Sequence, residues 1–165
     1  MQLLVVRHAV AFERSATRWP DDAERPLTPE GAERARKAAQ GLKRIADPPA
    51  RVLASPLSRA QETAAILTRS AGWPEASVCV QLLPGASPEE LLALLARTRD
   101  RSIAVVGHEP AVGRLLAMCL PGGVSATAFE MKKMGVALLE FPGAARAGRG
   151  RLVWLLPPKA LRAAR

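Results

Sequence analysis

The sequence predicts an α/β protein of three layers, α/β/α, with a mainly parallel central sheet and a C-terminal antiparallel hairpin. Three observations carry this expectation. Short β-branched and Leu-rich runs alternate with helical stretches, the pattern of βαβ units whose crossover helices cover both sheet faces. Val136 to Phe141 and Leu152 to Leu156 flank a Gly- and Arg-rich turn, as the strands of a hairpin do. The length of 165 residues and the 48% apolar content suit one domain, 1–165, with one buried core. No internal repeat or linker divides it.

Each element has a local reason. Leu3 to Val6 is a buried strand that stops abruptly at Arg7-His8. The polar stretch Glu13 to Arg25 is a loop, after which Thr28-Pro29-Glu30 supplies an N-cap, a proline at the first helical position and an early acid. The Ala-rich, basic helix so opened runs to about Ile45 and ends at Asp47-Pro48-Pro49. Arg51 to Ala54 is a second strand, and a helix capped by Ser58, with Gln61 three residues on, continues to about Ala71. Val78 to Leu82 reads as a third strand, and Ser87-Pro88-Glu89-Glu90 as a capping box opening a Leu-rich helix to about Arg97. Ile103 to Val106 is a fourth strand, broken by Gly107-His108-Glu109-Pro110, and a fourth helix runs on to about Cys119.

Composition excludes several functions. Aromatic residues make up only 4%, too few for a base-stacking platform. Cys79 and Cys119 stand far apart, with no C-x-x-C and no histidine cluster, so buried free thiols are expected rather than a disulfide or zinc site. The apolar runs fall well short of the roughly 18 residues of a membrane helix, and the N-terminus does not resemble a signal peptide. A cytoplasmic location is therefore expected. The net charge of +9 favours anionic partners, and residues 141–165 hold six of the cations and no acid, so polyanion contact by this C-terminal segment is a candidate.

Ligands of open α/β sheets bind beyond the carboxyl ends of the strands. Arg7-His8, Ser55 through Arg59, and Gly107-His108 all fall at such ends, and they include both histidines of the chain. One histidine after a strand is commonly structural; two at strand ends, with two arginines, point to a shared crevice. Arg7 adjoins an apolar strand and calls for a paired acid or a bound anion. Arg59 reads either as a solvated first-turn residue or as an anion ligand. P-loop, dinucleotide, serine-hydrolase and two-metal chemistries lack their motifs, which leaves imidazole and guanidinium: a nucleophile at phosphorus and forked donors for phosphoryl oxygens. No cofactor or metal is expected.

Four blocks, Leu4-Val5-Val6-Arg7-His8-Ala9, Arg25-Pro26-Leu27-Thr28-Pro29-Glu30-Gly31, Ser55-Pro56-Leu57-Ser58-Arg59-Ala60-Gln61-Glu62-Thr63 and Val105-Val106-Gly107-His108-Glu109-Pro110, together resemble the histidine phosphatase superfamily, whose fold is phosphoglycerate mutase-like. Its short SixA-type phosphohistidine phosphatases look closest. The resemblance implies His8 as the nucleophile, with Arg7, Arg59 and His108 holding the phosphoryl oxygens. Arg25 either lines the entrance or pairs with Glu24 or Glu30. The two imidazoles are expected to be tuned apart, His8 unprotonated and His108 a cation or at least a donor.

Two departures from the family pattern matter. Ala9 replaces the usual glycine, and no acid stands in Gln81 to Ala86, where larger members carry a proton donor. Glu89 and Glu90 are already accounted for by the capping box. The resemblance implies a phosphohistidine-bearing phosphotransfer or phosphorelay protein as partner, and the missing acid fits it, since phosphohistidine loses imidazole, a good leaving group. The alternatives are a phosphatase of small esters or other phosphoproteins, with Glu89, Glu90 or Glu109 as acid, and a polyanion-binding module.

Overall fold

The computed structural model describes residues 1–164. Strands β1 (Gln2–Arg7), β2 (Arg51–Ala54), β3 (Ala76–Val78), β4 (Ser102–Gly107), β5 (Val136–Glu140) and β6 (Arg151–Leu156) form a single sheet in the order β3-β2-β4-β1-β5-β6. The pairings among β1 to β4 are parallel, while β5 runs antiparallel to both β1 and β6. Helices α1 (Pro29–Ile45), α2 (Ser58–Ala71), α3 (Pro88–Ala96), α4 (Ala111–Cys119) and α5 (Pro158–Ala163) cover the sheet. The expected three-layer α/β/α arrangement with its C-terminal hairpin is present.

Alternation along β1 separates two cores. Leu4 and Val6 face α1, α2 and α5; Leu3 and Val5 face α3 and α4. The first core is rich in alanine, and α1 lays Ala35, Ala38 and Ala39 against it, which brings helix and sheet close together. The second uses leucine, notably Leu91, Leu95, Leu115 and Leu116. Cys79 and Cys119 are buried free thiols, and the Cys119 thiol is pushed up to about 12 by burial. Among the described residues no helix is long and apolar enough to cross a membrane.

Two local expectations require correction, and the C-terminal tail adds an element. The third strand is Ala76–Val78, and Val80–Leu82 coils into a 3₁₀ turn instead of continuing it. Cys79 makes the last bond to Ala54 O, and the turn then buries Leu82 while Val80 stays exposed. Ser58 is the first helical residue rather than the cap. Leu57 takes the cap position without a side-chain bond, and Gln61 sends its amide back to Ser55 O at 2.6 Å. Finally, the basic tail contains α5, whose Leu161 is fully buried against α1. Gly41 makes that docking possible, since a Cβ there would lie 1.7 Å from Leu161 O.

Candidate active site

Sheet register brings the strand tips together before any side chain is considered. Arg7 pairs with Gly107, and Ala54 with Val106. His8 N donates to Gly107 O at 2.9 Å, and Ser55 N to Val106 O at 3.0 Å. His8, Ser55 and His108 therefore leave adjacent strands at one level, at the carboxyl edge.

The side chains converge from there. The rings of His8 and His108 lie 4.9 Å apart, centroid to centroid. Both are buried, as is Arg59, which the first turn of α2 delivers from beneath. Thr63 braces this arrangement: its hydroxyl donates to Arg59 O at 2.6 Å and accepts from Ala9 N at 3.0 Å. Arg7 is half-buried and anchored by Nη1 donating to Met131 O at 2.6 Å.

Hydrogen bonding distinguishes the two imidazoles. His8 Nδ1 lies 2.7 Å from Ala9 O, which can only accept, so Nδ1 carries the proton and Nε2 the lone pair. His108 Nε2 lies 2.9 Å from Ser55 Oγ. Burial is the largest cause lowering both rings, His8 to about 4 and His108 to about 3, with the cationic arginines acting in the same direction. The expectation that the two pKa values are tuned apart is corrected: both rings are neutral at pH 7, and what separates them is the partner of each nitrogen.

Three buried polar groups around these rings have no protein partner: Arg7 Nε, Arg59 Nε and His108 Nδ1. Buried donors are ordinarily satisfied, so three unpartnered ones around the two rings mark a place for an anion.

Sequence reasoning missed Asp22, which lies in the 3₁₀ turn Asp22–Glu24. Its carboxylate lies 3.2 Å from Arg59 Nη2 and 3.4 Å from Arg14 Nε, and its backbone oxygen accepts from Arg59 Nη1 at 2.9 Å. Arg25 also belongs here: Nε donates to Asp22 Oδ1 at 2.8 Å and Nη1 to Phe12 O at 2.6 Å. The pairing of Arg25 is thus with Asp22, not Glu24 or Glu30, because the turn folds Asp22 back three residues. The Arg25 bond holds the Asp22 carboxyl below its ordinary value. An acid in a polar loop gives no periodic signal, so only the fold shows that Asp22 meets Arg59. Asp22 further borders an open hollow of about 420 Å³ with Arg14, Ser15 and Trp19.

The carboxylates considered as proton donors are placed differently. The Glu89 carboxylate accepts from Ser87 Oγ at 2.5 Å; at Glu90 it is the backbone N–H that donates to that hydroxyl, at 3.4 Å, and both residues stand exposed in the first turn of α3. Glu109 turns back over Gly113 in α4, with Oε1 buried and unpartnered.

This fold and this pair of histidines among arginines define a class of protein, and comparison with known proteins gives the same class. The family model of the histidine phosphatase superfamily (branch 1) matches residues 3–82. An uncharacterized protein of Picosynechococcus sp. (strain ATCC 27264 / PCC 7002 / PR-6) is 34% identical over 149 residues, covering 88% of each chain. Phosphohistidine phosphatase SixA of Escherichia coli (strain K12) is 28% identical over 172 residues, covering 100% of this chain and 99% of that one. The solved structure of the protein histidine phosphatase SixA complexed with tungstate superposes with a TM-score of 0.84 at 28% identity, over 98% of this chain and 99% of that one. The chain belongs to the histidine phosphatase superfamily. Within that superfamily it is of the SixA type, and it is a phosphatase.

Proposed function

We propose that this phosphatase removes the phosphoryl group from a phosphohistidine protein through a covalent phosphohistidine intermediate on His8. One observation carries the reading: the Nδ1 bond to Ala9 O aims a free Nε2 lone pair into a pocket whose donors lack acceptors. Nε2 attacks phosphorus, and the bond from phosphorus to the substrate imidazole nitrogen breaks. The imidazole departs with a proton from solvent. Water then attacks phospho-His8, releasing inorganic phosphate and restoring Nε2.

The surrounding groups act on the charge. Arg7 and Arg59 offer forked donors to the equatorial oxygens, whose charge is spread in a loose transition state. His108 Nε2 lies 2.9 Å from Ser55 Oγ, and the tautomer this mechanism uses is the one in which the hydroxyl donates to Nε2. His108 Nδ1 then carries hydrogen and donates to the phosphoryl group. A neutral donor suffices, so His108 need not be a cation. Arg25 acts through Asp22, which fixes the end of the Arg59 guanidinium while Nε stays available.

The substrate choice rests on leaving-group chemistry and on openness. The Glu89 carboxylate is engaged by Ser87 at the exposed start of α3, Glu90 stands exposed beside it, and imidazole needs little protonation. The open hollow at Arg14, Trp19 and Asp22 suits a residue carried on a protein surface. The relative named phosphohistidine phosphatase SixA, and the SixA complex with tungstate, a tetrahedral oxyanion, support the same reading. The partner is then a phosphotransfer or phosphorelay protein of the cytoplasm.

A second reading, hydrolysis of small phosphate esters, is favoured by the buried, unpartnered Glu109 Oε1, a carboxylate one residue from His108. Turnover of an N-phosphohistidine protein, an aryl phosphate and an alkyl phosphate, measured side by side, decides between them. Phosphohistidine hydrolysis with negligible alkyl ester turnover supports the first reading; comparable rates on alkyl esters reverse it.

A further inference from the structure

A cluster of arginines stands at the amino edge of the sheet, opposite His8. The loop between α3 and β4 carries Arg99 and Arg101, and the turn between β5 and β6 carries Arg146 and Arg149, all four exposed. The two segments face each other across a depression of about 240 Å³ lined by Arg99, Arg101, Gly143 and Ala144. Gly143 and Ala144 also border an adjoining depression of about 330 Å³ with Arg146 and Arg149. Thr98 links the first to a third, of about 190 Å³, where Arg51 and Arg97 lie.

Counter-ions do not account for this cluster. Asp100, the acid within it, is held by Arg51 Nε at 2.9 Å and by Thr98 Oγ1 at 2.7 Å. Glu140 nearby holds Arg151. Among the described residues Arg97, Arg99, Arg101, Arg146 and Arg149 have no carboxylate within ion-pair distance. Arg97 ends α3, where a cation is favoured by the helix dipole. The other four stand in loops and gain nothing from a helix end.

We propose that this arginine-lined groove binds the phosphodiester backbone of double-stranded nucleic acid without reading its sequence. Arginine presents a fork that matches phosphate oxygens, where lysine offers a point charge. Gly143 and Ala144 leave one side of the depression low, beside Met1, and a Cβ added at Gly143 would meet nothing within 4 Å. No aromatic side chain borders the three depressions, so bases have nothing to stack on and the contact is with phosphates. An acidic peptide would draw affinity from apolar anchors, which here lie in the third depression, at Leu53, Leu94 and Ile103, and not on the two loops that carry the unpaired arginines. The site is thus the two loops, not the C-terminal segment as a whole: Lys159 and Arg162 sit on α5, and Arg165 lies outside the described residues.

Fluorescence anisotropy with a labelled duplex of mixed sequence, titrated between about 50 and about 200 mM salt, tests this. Four phosphate contacts give a slope of log K against log salt near −3.6, from about −0.9 per contact. Arg99→Ala with Arg101→Ala is expected to halve that slope and weaken binding at least tenfold, as is Arg146→Ala with Arg149→Ala. Lys159→Ala with Arg162→Ala is expected to leave binding unchanged, and all variants keep full phosphatase activity because none of these residues approaches His8. The proposal is overturned if the duplex does not bind at low salt, if the quadruple variant binds as the parent does, if the α5 variant alone loses binding, or if anionic phosphatidylserine vesicles or polyglutamate bind more tightly than the duplex.

Discussion

At the residue scale, what matters is which nitrogen of each histidine is occupied. With Nδ1 fixed by the Ala9 carbonyl, His8 has one nucleophilic atom, so His8→Ala is expected to abolish turnover with the fold retained, and label from a rapidly quenched phosphoenzyme to map to His8. Label on another residue would remove the mechanism. Burial keeps His8 neutral down to about 4, so the acid limb of kcat/KM, which reports the free enzyme, is expected near that value rather than near 6.5. A limb at the ordinary histidine pKa would show a solvated ring. Arg7→Ala and Arg59→Ala each remove preorganised donors comparable to those worth about 2.7 to 4 kcal/mol, hence a loss of two or more decades in kcat. Lysine at either position is expected to restore little, because a point charge cannot reproduce the fork.

At the element scale, the strand tips were legible in the sequence because a buried parallel strand announces its end: an apolar run meets a polar residue, and at Arg7-His8 and Gly107-His108 that residue belongs to the candidate site. The Thr28 and Ser87 caps were legible for the same local reason, and both make the bonds their spacing implies. Less was legible where tertiary contact decides. The 3₁₀ turn at Val80–Leu82 exists because the edge strand runs out of partner, and α5 because Gly41 opens room for it. Asp22 reaches Arg59 across a loop whose composition says only that it is polar. The α5 contact gives its own prediction. Gly41→Ala forces a Cβ into the Leu161 carbonyl, and Leu161→Ala opens a cavity in a fully buried position, which costs roughly 2 to 5 kcal/mol. Both are expected to lower the urea midpoint. An unchanged midpoint for Leu161→Ala would mean that α5 does not pack as described.

At the scale of the whole molecule, two buried neutral histidines tie stability to pH. In the unfolded chain each binds a proton as pH falls through about 6.5, while in the fold they resist to about 4 and about 3. The unfolded state therefore holds more protons across that window, and stability is expected to fall as pH drops from about 6.5 to about 4. A double His8→Asn, His108→Asn variant is expected to flatten that part of the profile; an unflattened profile would assign the loss to carboxylates. The unpartnered Arg7 Nε, Arg59 Nε and His108 Nδ1 carry a thermodynamic consequence as well. A tetrahedral oxyanion that satisfies them binds the folded chain and not the unfolded one, which adds about 2.7 kcal/mol at a hundred times its Kd. Inorganic phosphate, the product, is such an ion: it is expected to raise the melting temperature through the same contacts by which it competes with substrate, so that the concentration that protects the protein from heat also restrains its turnover.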